Sequence, residues 1–308
     1  MPRTRARIGV QLPEAEREVP WTEIREMART AEEVGFDSLW VGDHLLFRDE
    51  TTGERAPWEA WTTLAGLASV TETVDIGPLV AATSFHSPAM LAKMATTVDE
   101  ISGGRLILGL GAGWNETEYS AFGFRYDHRV SRFEEAFHII VTLLREGRID
   151  HHGRFYDHDD MVLLPSPRHR IPLMIGSNGP RMLRIAAPHV DIWNTWYTSY
   201  GNRAAGLGPL MAEVDSACAD VGRDPAEISR SAAVYVQVER GRGRVAGSTE
   251  RPAAKPIVGS HAEMAEELWA IVGTGVDHIQ LVIDPIDRRS IEEMAEIVAM
   301  LPPLESGP

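Results

Sequence analysis

Apolar residues along the chain fall into short unbroken runs, separated by stretches in which they recur every three or four positions. Unbroken runs suit strands covered on both faces, and three-to-four spacing suits a helix with one buried side. The first run, Ala6–Gln11, reads as a strand. Pro20–Val34 reads as a helix, with a buried stripe at Ile24, Met27, Ala28, Ala31 and Val34 and with Gly35 at its end. Further strands are expected at Asp37–Val41, Val74–Ala82, Arg105–Leu110, Pro172–Gly176, Val190–Asn194, Ser231–Val238 and His278–Ile283. Helices are expected at Pro57–Val70, Pro88–Ile101, Val130–Arg145, Gly179–Ala187, Arg203–Val221, His261–Val272 and Ser290–Met300. Eight strand–helix pairs in order predict a single (β/α)8 TIM barrel over residues 1–308, with a doubly wound sheet as the runner-up. The alternation breaks at 146–170, where GRIDHHGRFYDHDD predicts a polar hairpin inserted after helix four. Segment 239–257, rich in Gly, Arg, Ala and Pro, is expected to be a mobile loop at the carboxyl end of strand seven.

Composition narrows the partners. A net charge of −15 disfavours nucleic acid and anionic membrane surfaces, which would repel the chain. No apolar run approaches the roughly 20 residues of a membrane helix. The basic N-terminus leads into a strand-like run too short for a signal-peptide core, so a cytoplasmic location is expected. Cys218 is the only cysteine, which excludes a disulfide framework and a cysteine-rich metal centre. His151, His152 and His158 beside Asp157, Asp159 and Asp160 follow no ligand spacing of a known metal site, and no metal is expected.

Barrel chemistry sits just past the carboxyl ends of the strands. Strand two ends in Asp43-His44, an acid beside an imidazole that can act as general acid, base or electrostatic partner. The alternative is that His44 only packs at the barrel mouth. Strand four runs into Gly109, Gly111 and Gly113, one residue short of the dinucleotide fingerprint. These glycines are read as room for a ring system, with Glu116 as a proton donor or, alternatively, a solvated carboxylate. Strand five leads into Gly176, Ser177, Asn178 and Gly179, followed by a helix carrying Arg181 and Arg184, an arrangement suited to an anion. Trp193 and Trp196 flank the end of strand six as pocket walls or as core.

Three segments, FDSLWVGDHLL (36–46), SPAMLAKMATTVDEISGGRLILGLGAGWNETEYSAFG (87–123) and PLMIGSNGPRMLRIAAPHVDIWN (172–194), resemble the bacterial luciferase-like monooxygenase family. The resemblance is strongest to its F420-dependent (deazaflavin) branch. It implies a barrel with a deazaflavin or flavin at the strand ends, and catalytic roles for His44 and Glu116. Asp43, Gly113 and Trp193 would lie at the cofactor, and Gly176–Gly179 would hold its phosphate. The end of strand three, Leu79, Val80 and Ala81, would form a bulge behind the ring, built in F420-dependent relatives around a non-prolyl cis peptide. Pro78 just before it is a departure. A second departure is the absence of a lysine after strand six, where sugar-phosphate dehydrogenases of the family bind phosphate; Trp193-Asn194-Thr195-Trp196 stands there and implies a less polar substrate. The resemblance thus implies an oxidoreductase moving a hydride between the deazaflavin C5 and a small organic substrate, as a homodimer. The alternatives are an FMN-dependent monooxygenase supplied by a separate cofactor reductase, and a barrel that binds a cofactor or ligand without catalysis.

Overall fold

The computed structural model describes residues 5–49, 53–244 and 254–303. Eight strands, β1 (Arg7–Gln11), β2 (Ser38–Val41), β3 (Asp75–Pro78, resuming at Ala81–Ala82), β4 (Leu108–Gly111), β5 (Leu173–Gly176), β6 (Ile192–Thr195), β7 (Ser229–Gln237) and β8 (His278–Asp284), pair in parallel. Each is followed by its helix: α1 (Trp21–Glu33), α2 (Ala60–Val70), α3 (Pro88–Ser102), α4 (Arg129–Glu146), α5 (Pro180–Ala186), α6 (Leu207–Asp220), α7 (His261–Val272) and α8 (Arg288–Ala299). β1 lies between β2 and β8, and the order continues β7, β6, β5, β4. The protein is a (β/α)8 barrel.

β3 closes the ring, and it does so in two pieces. Asp75–Pro78 pairs with β2, while Ala81 and Ala82 pair with Leu110 and Gly111 of β4. Below the break, Ile76 donates to Arg105 O at 2.9 Å and accepts from Ile107 N at 2.9 Å, completing the circle. The expected bulge therefore exists, and its Leu79–Val80 peptide is cis. Pro78 is accommodated as the last residue of the first piece.

The barrel interior is packed, which makes the mouth the place for chemistry. Gly9 and Gly77 face inward and leave space for the Trp40 ring, which a Cβ at either position would strike. Trp40 Nε1 donates to Ser38 Oγ at 2.8 Å, and Ser38 Oγ meets His278 Nε2 at 2.8 Å. Above them Asn194 Nδ2 donates to Ser231 Oγ and to Gln280 Oε1. These buried polar groups largely satisfy one another, with Nε2 of Gln280 left without a partner. At the opposite end Arg105 donates to the carbonyls of Ala68, Thr71, Val74 and Ser102 and to Thr71 Oγ1, gathering the ends of α2 and α3.

The insertion after α4 is a hairpin, Arg148–His152 against Asp157–Val162. Glu135 of α4 anchors its tip by accepting from Phe155 N and Tyr156 N. A second hairpin, Phe47–Asp49 against Gly53–Arg55, follows β2; its sequence lacks apolar alternation. In the expected mobile loop, residues 245–253 lie outside the described residues. Its described flanks are held: Ile257 pairs with Val236, and Gly243 N donates to Asp284 Oδ2 at 2.7 Å. Among the described residues no helix is long and apolar enough to cross a membrane.

Candidate active site

His44 stands at the carboxyl end of β2 with its side chain 18% exposed. Its Nδ1 lies 3.0 and 3.1 Å from the two oxygens of Glu118. Its Nε2 faces Glu14 Oε1 at 3.7 Å. The ring also packs against Phe47 and Trp114, at centroid separations of 4.7 and 5.5 Å. Burial alone would lower the imidazole pKa, but the charge of Glu14 and the hydrogen bond and charge of Glu118 outweigh it and raise the value above normal. The arrangement presents a proton-bearing imidazole at the mouth, with one nitrogen fixed and the other facing a carboxylate.

Glu118 replaces Glu116 as the acidic partner. Both belong to the short helix Glu116–Phe122, but two residues of helix turn the side chains to opposite sides. Glu116 is exposed, whereas Glu118 is 1% exposed and also accepts from Leu45 N and Leu46 N. Asn115 Nδ2 adds a bond to Leu46 O at 2.9 Å, so this helix grips the main chain beyond His44.

The glycine run serves a purpose other than the expected one. A Cβ on Gly109, Gly111 or Gly176 would lie under 3 Å from a methyl of Val80. The three glycines of β4 and β5 thus form a socket for the Val80 side chain, which is half-buried and keeps one face toward the mouth. Gly113 has φ +69°, and a Cβ there would meet the Tyr119 hydroxyl at 2.2 Å; that hydroxyl donates to Ala112 O at 2.7 Å. The glycines make room for protein atoms.

Several expected ring contacts are relocated by burial. Leu79 and Ala81 are buried in the strand pairing, leaving Val80 as the residue of that trio that reaches the mouth. Asp43 is buried, with Oδ2 accepting from Ala82 N at 2.8 Å and 3.7 Å from His86 Nε2. It fastens the resumed half of β3 to the end of β2 and is spent on the backbone. Trp193 is wholly buried; since its neighbour Asn194 points into the barrel, strand alternation sends Trp193 outward into the helix layer. Its Nε1 donates to Ser177 O at 3.0 Å, so it shapes the β5 turn from behind. Within that turn Gly176 belongs to the socket, Ser177 Oγ accepts from Gly179 N at 3.4 Å, and Asn178 Nδ2 donates to Thr195 Oγ1 at 3.0 Å. Arg181 pairs with Glu134 and Ser131 and takes no part in an anion cradle. On the inserted hairpin Asp150, His152 and Asp159 come together, all exposed, with His152 Nδ1 on Asp157 at 2.6 Å.

Glu14, Tyr197 and Arg244, which the sequence did not single out, complete the site beside Trp196, expected there as a pocket wall or as core. Glu14 follows β1, Trp196 and Tyr197 follow β6, and Arg244 follows β7. Arg244 binds Glu14 and Glu16 at 2.6 and 2.7 Å. Position just past a strand end is the signal that marks each of them in the sequence. Among the buried side-chain atoms at this end that lack partners are both amide atoms of Gln11 and Oδ1 of Asn178. Each buried unsatisfied polar atom costs about 1–3 kcal/mol, so a polar ring system able to bond them fits the site.

Comparison with known proteins identifies the family. The family model for luciferase-like monooxygenases matches residues 4–254, and the chain belongs to that family. An F420-dependent glucose-6-phosphate dehydrogenase of Amycolatopsis mediterranei is 34% identical over 167 residues, 52% of this chain and 49% of that protein. The chain thus spans about half the length of that relative. A phthiodiolone/phenolphthiodiolone dimycocerosates ketoreductase of Mycobacterium tuberculosis is 30% identical over 279 residues, 84% of this chain and 71% of that one. Among solved structures, an F420-dependent secondary alcohol dehydrogenase holding an F420-acetone adduct superposes with TM-score 0.80 at 19% identity, covering 96% of this chain and 98% of that one. Riboflavin lyase with modified FMN gives 0.79 at 15% identity, covering 96% and 90%. These two likenesses show the fold. The named homologues are oxidoreductases, and this protein belongs to an enzymatic family whose members take F420 or FMN.

Proposed function

We propose that the protein is an F420-dependent oxidoreductase that moves a hydride between the deazaflavin C5 and the carbonyl or alcohol carbon of a small organic substrate. The observation that carries this reading is the imidazole of His44, fixed by Glu118, flanked by Glu14 and carrying a raised pKa at the barrel mouth. The two-electron chemistry belongs to the bound deazaflavin. The protein supplies the proton. In the reducing direction His44 would give a proton to the substrate carbonyl oxygen, and in the oxidising direction it would take the hydroxyl proton back. Val80 on its glycine socket would support the ring, Gln11 and Asn178 offer it unpartnered polar atoms, and Ser177 would face its phosphate.

The names of the relatives support the cofactor: the dehydrogenase from Amycolatopsis and the alcohol dehydrogenase are both F420-dependent. Trp196 and Tyr197 pack together beyond β6, centroids 4.8 Å apart, and the Arg244 charge beside them is consumed by Glu14 and Glu16. That wall suits an uncharged substrate better than a sugar phosphate. The competing reading, an FMN-dependent monooxygenase, draws on the likeness to riboflavin lyase.

A fluorescence titration of the purified protein with each cofactor separates the two. F420 binding with none for FMN is the expected result, and the reverse overturns the assignment. His44→Gln should lower turnover of a ketone or alcohol by about 10²–10⁴-fold. Unchanged turnover would refute His44 as the proton carrier, and absence of turnover in the wild type would leave a barrel that binds without catalysis.

A further inference from the structure

We propose, building on the reading of His44 as the proton carrier, that Arg244 is the positioning residue of this site and holds Glu14 in place beside Nε2 of His44. The guanidinium is 6% exposed and divides its donors: Nη2 to Glu14 Oε2 at 2.6 Å, Nε to Glu16 Oε1 at 2.7 Å, and Nη1 to the Tyr197 hydroxyl at 3.3 Å. Its own N–H donates to the Tyr235 hydroxyl at 2.7 Å, and its charge lies 5.4 Å from the Trp196 ring centre. One side chain therefore joins loops that follow β1, β6 and β7. Glu16 closes the circuit, because its other oxygen accepts from Glu14 N at 2.8 Å.

Glu14 uses its two oxygens separately, Oε2 on Arg244 and Oε1 toward His44. It lies in a slot that exists because residue 42 is glycine; a Cβ there would sit 1.9 Å from Glu14 Oε1. The slot gives Glu14 space, and Arg244 gives it a reason to stay. The planar guanidinium reaches two carboxylates and a phenol from separate donors in fixed directions, a geometry that a lysine ammonium reproduces poorly. The charged groups facing His44 are Glu14 from the β1 loop, Glu118 from the short helix and its neighbour Asp43. Those facing Arg244 are Glu14 and Glu16, with the hydroxyls of Tyr197 and Tyr235. Without Arg244, Glu14 would be a buried carboxylate lacking its cation, and it would swing away or give up its charge. Either event removes a negative charge from beside His44.

The test follows the His44 ring resonance through a pH titration of the full-length, cofactor-free chain, with the signal assigned by its loss in His44→Gln. Arg244→Gln should move the titration down by about one pH unit, the size expected for loss of one facing charge. Glu14→Gln should do the same, the double variant no more than Glu14→Gln alone, and Arg244→Lys should fall between. An unmoved titration overturns the proposal, and so does an upward one, which is what simple removal of a nearby cation gives. Should Arg244→Gln fail to fold, Glu16→Gln removes the charge and one of the two acceptors that hold Arg244 Nε and Glu14 N, and must shift the resonance in the same direction by a smaller amount. Because no cofactor is present, failure of the F420 reading leaves this result standing.

Discussion

Gly111→Ala probes the platform beneath the proposed ring. Gly111 has no positive φ, so an alanine backbone fits without strain. Its Cβ, however, would lie 2.8 Å from Val80 Cγ2. Carbon atoms rest about 3.5–4.0 Å apart, so one methyl must move by about 1 Å. Val80 has few places to go. Its χ1 is stiff, and its methyls already occupy the space that a Cβ on Gly109 or Gly176 would need. The open direction is into the mouth. Overpacking of this kind costs about 1–3 kcal/mol, and the displaced methyl should also weaken cofactor binding. Urea unfolding of the wild type, Gly111→Ala, Val80→Ala and the double variant reads the effect directly. Removing the Val80 methyls should rescue Gly111→Ala, with a coupling energy of about 0.5–3 kcal/mol. Gly208→Ala in α6 is the control: nothing lies within 4 Å of its Cβ, and the change should be neutral or stabilising by up to about 1 kcal/mol. Strictly additive Gly111 and Val80 variants, or a loss at Gly111 below about 0.5 kcal/mol, would refute the socket.

Glu118→Gln should destabilise the fold by about 1–3 kcal/mol, since three donors share that carboxylate, and should lower the His44 pKa; chemical denaturation and ring titration read both. The neighbouring Glu116→Gln should stay within about 0.5 kcal/mol of wild type by the same denaturation. His44 titrates above its unfolded value of about 6.5, so its charged interactions contribute fully below that pH and are lost as pH rises through the folded value. The stability gap between wild type and His44→Gln should therefore narrow from pH 5.5 toward pH 8.5 (roughly the window around that value), and a gap that widens contradicts the assignment. Ser260 and Glu263 form a reciprocal cap at the start of α7, and Ser260→Ala should cost about 1 kcal/mol in thermal or urea unfolding.

The barrel was legible because apolar periodicity is set by burial, and burial in this architecture repeats eight times. Predicted and observed strands agree to within one to three residues at their ends. β3 is the exception in form: Val74–Ala82 reads as one apolar run, yet it changes partner midway, and a run of buried residues carries no mark of which neighbour each will meet. The hairpin after β2 escaped because Arg48, Asp49, Gly53 and Glu54 are polar on both faces and lack a period of two. At the site, His44 was readable from its place after a strand. Glu118 and Glu116 could not be told apart until the helix phase was known, and Arg244 depends on a loop path that sequence leaves free. The glycine run signalled close approach correctly and misnamed the visitor: Val80 and Tyr119 come close, both from the same chain.

Arg105 and Arg244 mark the two poles of the barrel. The first spends all but one of its hydrogen bonds on main-chain carbonyls, partners that every substitution leaves behind. The second spends them on two carboxylates and a phenol, any of which one codon change can delete. Drift among descendants of this protein is therefore free to rewrite the rim while the base stays as it is, and new substrates can be acquired without the barrel having to be relearned.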